Sequence, residues 1–572
     1  MAFRTSGMLK GLIRHRRIGV LEKLSLFVRS LPASDRAIAI LLAAVFAVCS
    51  LAALVALERQ VLVEVPARGG SITEGVVGNP RFVSPLLALT DADRDVTALT
   101  YAGLMGEGPN GLRPVLAESY TISEDGKTYT FVLRNNLKFT DGTPITADDV
   151  VFTVQKAQDP ALKSPELANW ANIRTEALDA RTVRFTLPKA YAPFLEDATL
   201  GILPSHIWKK VPNEQFPFDV HMANPVGAGP FKVESLSKDK NGVVTGYHLV
   251  ANNSYALGRP YLDEFTLKFY ASTEELARAY KSGSVSSAYG IPATHARTAP
   301  YSRVFGVFFN EAQNPALGEL AVRKALSIAI DRNTIVHTLL GGYATPVMGP
   351  VPPGSGIAEP AIPEGDRIAL AKKTLTDAGW TFDEAAGVWK NAKAKLSLDS
   401  VIVTTSNVPE LKTLAGQVEK DWEALGVPTS LEFDDPSTLV SGAIRPRKYS
   451  ALYFGMVVGR NQDLFAFWDS SQKNDPGLNI AGYSNKNVDV LLDSARQETD
   501  PDKRRADLQK ISDQIASDYP AAFTHSPQFV YALPASVEGV VLPQITSPAD
   551  RFATVSEWHM RTQWVWPFFA GR

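Results

Sequence analysis

The chain has 572 residues, 45% of them hydrophobic and 21% charged, with 40 glycines and 38 prolines. That length exceeds one ordinary core and predicts two or three packed units, while the composition excludes both wholesale disorder and a polytopic membrane protein. The net charge of -2 conceals an asymmetry: residues 1–36 carry eight Lys/Arg against Glu22 and Asp35, so a +6 head precedes a body of -8, and an acidic body without a dense basic stripe predicts no nucleic-acid partner.

Between Leu9 and Leu31, apolar Leu12, Ile13, Val20, Leu24 and Phe27 alternate with basic residues. The pattern fits a helix on an anionic leaflet and equally a disordered basic tail. Ala37 to Leu57 then runs 21 residues without a charge, enough to cross a hydrocarbon core of about 30 Å. Positive charge on its N-terminal side predicts a cytoplasmic head and an extracytoplasmic body. Its length favours a retained single-pass anchor in a bacterial cytoplasmic membrane over a cleaved signal. The single cysteine, Cys49, follows Phe46-Ala47-Val48 inside this run. It lacks the small residue expected before a lipid-acceptor cysteine, and one cysteine excludes both an intramolecular disulfide and a Cys-based zinc site.

Residues 58–68 read as a linker, after which strands and helices mix without a repeat of 20 to 50 residues, which disfavours solenoids and propellers. Thr128 to Leu133 and Thr182 to Leu187 alternate and are rich in Thr, Val and Phe, as half-buried strands are. Val322 to Leu340 predicts one long helix closed by Gly341-Gly342. Leu396 to Thr404, Pro409 to Leu425 and Thr429 to Phe433 predict a βαβ unit, with Gly426 stopping the helix, and hence a parallel sheet. Asn487 to Ser517 predicts two helices separated by Asp500-Pro501.

No assembled catalytic chemistry is legible. The eight histidines form no HExxH pattern, and no G-x-S-x-G elbow occurs. Asp125-Gly126-Lys127-Thr128 resembles the end of a phosphate loop, but Thr121 stands where that loop needs glycine, so it reads as a hairpin turn. Asp148-Asp149 after Thr146 reads as a capped helix start, not an acid/base pair. No catalytic residue, metal or cofactor is expected.

Four segments carry a resemblance: Leu112 to Thr153, NPVGAGPFKV (Asn224 to Val233), LAVRKALSIAIDRNTIV (Leu320 to Val336) and YSNKNVDVLLDSA (Tyr483 to Ala495). In order and spacing the chain resembles the family 5 extracellular solute-binding proteins, the dipeptide, oligopeptide and nickel receptors of ABC importers, over roughly residues 69–535. The resemblance implies an α/β class II periplasmic-binding-protein fold, two lobes with a hinge and an extra α+β subdomain, here preceded by one transmembrane helix. Lobe I would comprise 69–111, 222–305 and 526–556, the inserted subdomain 112–221, and lobe II 306–525. A hinge crossing is expected at Phe305 to Asn310 and a return near Pro527. Residues 557–572 form an aromatic tail with Trp558, Trp564, Trp566, Phe568 and Phe569, which either packs on the body or touches a membrane or partner.

Where the pattern departs, it bears on ligand. The Asp that pairs with a peptide's amino terminus in dipeptide receptors falls at Arg460, and the Arg that meets the peptide carboxylate falls near Thr405. Loss of both charged anchors implies a ligand other than a free dipeptide, with Arg460 favouring an anionic or carbonyl-rich group. Further expected lining residues are Asn461, Tyr453, Trp468, Thr90 and Asp91, with Gly227, Gly229 and Asn310 as hinge or cleft backbone. The implied partners are a peptide or small solute and the permease and ATPase of an importer, with the receptor monomeric. A sensory or scaffolding receptor on the same fold is the alternative, and an extracytoplasmic hydrolase is disfavoured.

Overall fold

The computed structural model describes residues 28, 30–109, 111–291, 293 and 295–569. Nearly all of the basic head, including the amphipathic reading before Leu31, lies outside them. The chain divides into two units, residues 1–67 with 561–572, and residues 68–560.

In the first unit, Ala33–Val61 is one continuous helix. Among the described residues it is the one helix long and apolar enough to cross a membrane, and its apolar window, Ala33–Ala53, is not buried against protein. Cys49 is exposed on it. Two residues on, Val63–Ala67 pairs antiparallel with Arg561–Val565, in the register Val63 to Val565 and Glu64 to Trp564.

The second unit is built on a mixed sheet in the order Thr429–Asp434, Val401–Ser406, Ala451–Val457, Arg303–Phe309, Ala521–Ala532, Ser287–Tyr289, Ser71–Val77, Glu264–Tyr270, Val244–Ala251, Phe231–Lys238. One strand, Ala521–Ala532, belongs to both halves. Its start pairs with Arg303–Phe309, and its end pairs with Ala296–Pro300 and Ser287–Tyr289. Two lobes are thus joined by strand continuations at Tyr301-Ser302 and around Pro527. A third body of core encloses the four-stranded antiparallel sheet of Ala117–Ile122, Thr128–Leu133, Thr182–Thr186 and Arg174–Ala177, with Tyr129, Phe131, Val154 and Phe185 fully buried.

Local chemistry explains these elements. Gly126 takes a left-handed φ of 66° in the turn before Thr128, and the Asp125 side chain accepts the Lys127 N–H at 3.1 Å. Asp149 accepts the Thr146 N–H at 2.9 Å at the start of Ala147–Ala157. The helix Pro409–Leu425 ends on left-handed Gly426 (φ 88°) and buries Leu414, Val418, Trp422 and Leu425, each worth about 1.5 to 3 kcal/mol relative to exposure.

Two sequence expectations need correction. The long helix predicted over Val322 to Leu340 is broken: Leu320–Ala329 is α-helical, Ile330 is extended, and Thr334–Leu339 forms a separate wide turn. The cause is Asp331-Arg332. Asp331 caps the second segment through the Thr334 N–H at 3.0 Å, while the buried Arg332 guanidinium donates to the carbonyls of Phe523, Val347 and Ser327. The strand predicted over Leu396 to Thr404 divides at Asp399-Ser400. Leu396–Leu398 joins a small antiparallel sheet, and Val401–Ser406 pairs parallel with Thr429–Asp434. Trp558, grouped with the tail by composition, is fully buried against Phe265, Tyr531 and Phe552.

Candidate functional site

Cavities lie where the two lobes and the subdomain meet. One of about 550 Å³ flanks the crossings, walled by Asp91, Tyr289 and Tyr301 on one side and Arg303, Tyr343 and Glu410 on the other. Arg303 sits 4.1 Å over the Tyr301 ring, and the Tyr289 hydroxyl donates to Asp91 at 3.3 Å. A second, of about 410 Å³, lies between Tyr191 and Asp197 of the subdomain and Phe465, Asp493 and Arg496. A third, of about 230 Å³, is lined by Thr97, Tyr101, Glu107, Tyr255, Arg460 and Asp550.

Arg460 reaches this last cavity because the strand Ala451–Val457 ends in a tight turn, with Gln462 left-handed at φ 54°. Its guanidinium meets two carboxylates from across the boundary, Glu107 at 2.8 Å and Asp550 at 3.0 Å. Glu107 lies on the short strand Met105–Gly108. Asp550 is fixed by accepting the N–H groups of Thr546 and Ser547 at 2.8 and 2.9 Å. The Glu107 contact is a charge pair without hydrogen-bond alignment: neither carboxylate oxygen of Glu107, nor the buried Tyr101 hydroxyl, has a hydrogen-bond partner. The Glu107 side chain is only 8% exposed. Burial pushes its pKa above the ordinary carboxylate value, Arg460 opposes that rise, and Asp550 adds to it.

The same boundary carries a second group of carboxylates. Burial raises Glu196 to about 7, against the pull of Arg460 and with Glu107 adding, and raises Asp197 to about 8, with Glu166, Glu196 and Asp463 adding as like charges. Arg496 faces this group, 4.4 Å from the Phe465 ring and 5.3 Å from Tyr191, and paired to Asp463 at 3.1 Å. Its carbonyl accepts the Ala192 N–H at 2.9 Å across the boundary.

The residues expected from sequence to line a ligand site separate into groups. Arg460 and Asp91 line cavities. Thr405, Tyr453 and Trp468 are wholly buried: Thr405 donates to the Tyr453 carbonyl at 2.8 Å, and Trp468 packs on Phe308 and Phe523. Thr90 caps the helix Asp91–Thr100 in a reciprocal box with Asp93, and the Asn461 side chain accepts the Asp463 N–H at 3.0 Å. Asn310 ties the end of its strand to Ser450 and Arg447 within lobe II. Gly227 and Gly229 are required for space and not for a left-handed φ: a Cβ would stand 2.2 Å and 2.4 Å from the Thr100 backbone. Arg460 does not present a free positive charge, because two carboxylates already face it. Sequence reasoning missed Glu107, Asp550 and Tyr101. The first lies on the short Gly-rich strand Met105–Gly108 and the second in a Ser-Pro-Ala-Asp cap, and no local signal joins segments so far apart.

Two lobes around cavities, linked by two strand crossings and enlarged by a subdomain, define a class II solute-binding fold. Residues 111–479 match the family model for bacterial extracellular solute-binding proteins, family 5 middle region, and the chain belongs to that family. It is 27% identical over 497 residues to the oligopeptide-binding protein AppA of Bacillus subtilis, covering 83% of this chain and 89% of that protein. It is 28% identical over 475 residues to the glutathione-binding protein GsiB of Shigella dysenteriae, covering 78% and 87%. The crystal structure of the ABC transporter substrate-binding protein CtaP from Listeria monocytogenes superposes with a TM-score of 0.73 at 28% identity, covering 86% of this chain and all of that one.

Proposed function

We propose that the chain is a membrane-anchored, extracytoplasmic receptor of an ABC importer that captures a peptide or similar small solute between its lobes and presents the closed form to the permease. The observation that carries this reading is the pair of crossings at Tyr301-Ser302 and Pro527 beside a cavity walled by both lobes. A ligand touching both walls favours closure by its differential affinity for the closed state, and the closed shape is what a permease can distinguish. No reactive group is needed for that task, so the chain acts as a binding protein and not as an enzyme. The lobes are those expected from the sequence, 69–111 with 222–305 and 526–556 against 306–525, with the change of lobe moved from Phe305 to Tyr301-Ser302 because all of Arg303–Phe309 pairs with Ala451–Val457, and with 112–221 as the insert. The helix Ala33–Val61 supplies the anchor, and tethering raises the receptor's effective concentration at its transporter.

Native mass spectrometry of the full chain, purified in detergent, tests the reading. A co-purifying solute of peptide or similar mass is the expected result. A chain that retains no solute, and that turns over a peptide library, would overturn it.

A further inference from the structure

The aromatic C-terminus lies beyond the family match, and the receptor mechanism does not use it. Its placement follows from the register of one small sheet. The helix Ala33–Val61 loses its uncharged character after Leu57. From there, four helical residues at about 1.5 Å each and two extended ones at about 3.3 Å put Val63 at most about 13 Å beyond the apolar run. In chain order Val63–Ala67 follows the helix directly, and its antiparallel partner Arg561–Val565 ends beside the first residue of that strand, with Val565 opposite Val63. Trp566 and Phe568 follow Val565 by one and three residues.

The side chains on this segment are large, aromatic and open to solvent: Trp564 is 59% exposed, Trp566 43% and Phe568 69%. Trp566 and Phe568 stack, with ring centroids 6.3 Å apart. The chain's seven other tryptophans are all buried, none more than 4% exposed. Tryptophan is enriched at the headgroup level of bilayers because its ring is apolar and its N–H is polar. The headgroup region occupies roughly 5 to 7 Å on each side of the hydrocarbon core, and the pairing of Val565 with Val63 keeps the aromatic residues within a few residues of the helix end.

We infer that the Val63–Ala67 and Arg561–Val565 pair returns the C-terminus to the lipid surface, where Trp564, Trp566 and Phe568 seat among the headgroups as a second membrane contact beside the apolar helix. The occupant of this aromatic face is the bilayer interface itself, argued from covalent continuity with the helix. The consequence is mechanical. The receptor body joins its membrane-proximal segment through two chain connections, at Ala67-Arg68 and Met560-Arg561, and not through one. The inference rests on the anchor reading above.

The test uses the full chain reconstituted into phosphatidylethanolamine and phosphatidylglycerol vesicles, with lipids brominated either near the carbonyl end or near the methyl end of the acyl chains. Because the other tryptophans are buried, contact quenching reports on Trp564 and Trp566. We expect the shallow bromines to quench emission more than the deep ones. A W564S/W566S variant should float with vesicles like the wild type but lose at least half of that quenching. Flotation without shallow quenching would overturn the membrane contact while leaving the anchor intact. Quenching unchanged in the variant would overturn it as well, and failure of the wild type to float would overturn the anchor and the contact together.

Discussion

Two clusters in the body set one arginine against two carboxylates, and adjacent residues feed them. Asp550 turns to Arg460 at the cavity edge, while Arg551 turns inward to Glu74 and Asp95. The inward cluster is fully buried, and its hydrogen bonds are made: Arg551 to Glu74 at 2.7 Å, Arg551 to Asp95 at 2.6 and 2.7 Å, and Tyr531 and Ser287 to Glu74 at 2.5 and 3.1 Å. Phe552 and Tyr289 lie against the guanidinium at 4.0 and 4.7 Å. In the outer cluster Arg460 is 21% exposed, its contacts span two lobes, and Glu107 lacks an aligned donor. The same charges therefore serve opposite ends. Satisfied and dry, they fix the short helix Pro548–Phe552, and through it the position of Asp550. Beside a cavity, with Glu107 left without an aligned donor, they make a cross-lobe contact held by charge alone on that side.

The largest effect belongs to the inward cluster. Arg551→Met leaves two carboxylates buried without a counter-charge, and breaking a buried pair in this way costs about 3 to 5 kcal/mol. Urea denaturation should show that loss in the midpoint. A loss under 1 kcal/mol would mean the cluster is not the rigid member of the two. Replacing Glu74 and Asp95 by Leu in the same chain should restore much of the stability, because the charge penalty goes with the charges. A step smaller is Gly229→Ala, which drives a Cβ into the Thr100 backbone at 2.4 Å. Overpacking of this kind costs about 1 to 3 kcal/mol, measured as a fall in Tm. Smaller again is Arg460→Met, for which about 1 kcal/mol is expected, since Glu107 escapes an unpaired charge by taking a proton. Its signature is conformational: small-angle scattering of the full chain should show a larger radius of gyration as the cross-lobe tie is lost. An unchanged radius would remove Arg460 from the closing contacts.

The sequence showed what local chemistry writes into short windows. The Thr146 cap, the separation of two helices at Asp500-Pro501, the Gly426 stop, the Asp125-Gly126 turn and the alternating strands near Thr128 and Thr182 are all where the pattern places them. The break at Ile330 was illegible because its cause is tertiary, an arginine reaching the Phe523 carbonyl 191 residues away. The site suffered more from the same limit. Position 460 stood out by departing from a family pattern, but its partners Glu107 and Asp550 lie on a four-residue strand and a one-turn helix that carry no signal of their own and meet it only through the fold. Thr405 and Trp468 illustrate the converse, since a residue on a strand or helix near the expected cleft can face either side, and a one-residue change of phase sends it into the core.

The smallest effect separates the two regions by pH. In the folded chain Glu196 and Asp197, at the boundary, are raised to about 7 and about 8, in each case mainly by burial, against about 4 in an unfolded chain. Raised carboxylates hold protons that the unfolded state has released, so their stabilising contribution is complete below about pH 4 and is lost as pH rises through 7 and 8. His525 works oppositely: burial lowers it to about 4, which costs stability only as pH falls below about 6.5. Between about pH 7.5 and 8.5 the histidine is neutral in both states, and the slope belongs to the carboxylates. Tm should therefore fall across that window, by an amount equivalent to less than about 1 kcal/mol after solvent screening of these partly exposed groups. Glu359 is raised to about 7 by burial alone and adds to the same slope, so the deciding measurement is a difference. E196Q/D197N should flatten part of the fall, while E359Q removes a separate part. If the double variant leaves the profile unchanged, the boundary carboxylates are already open to water, and the contrast between the two arginine clusters rests on geometry alone.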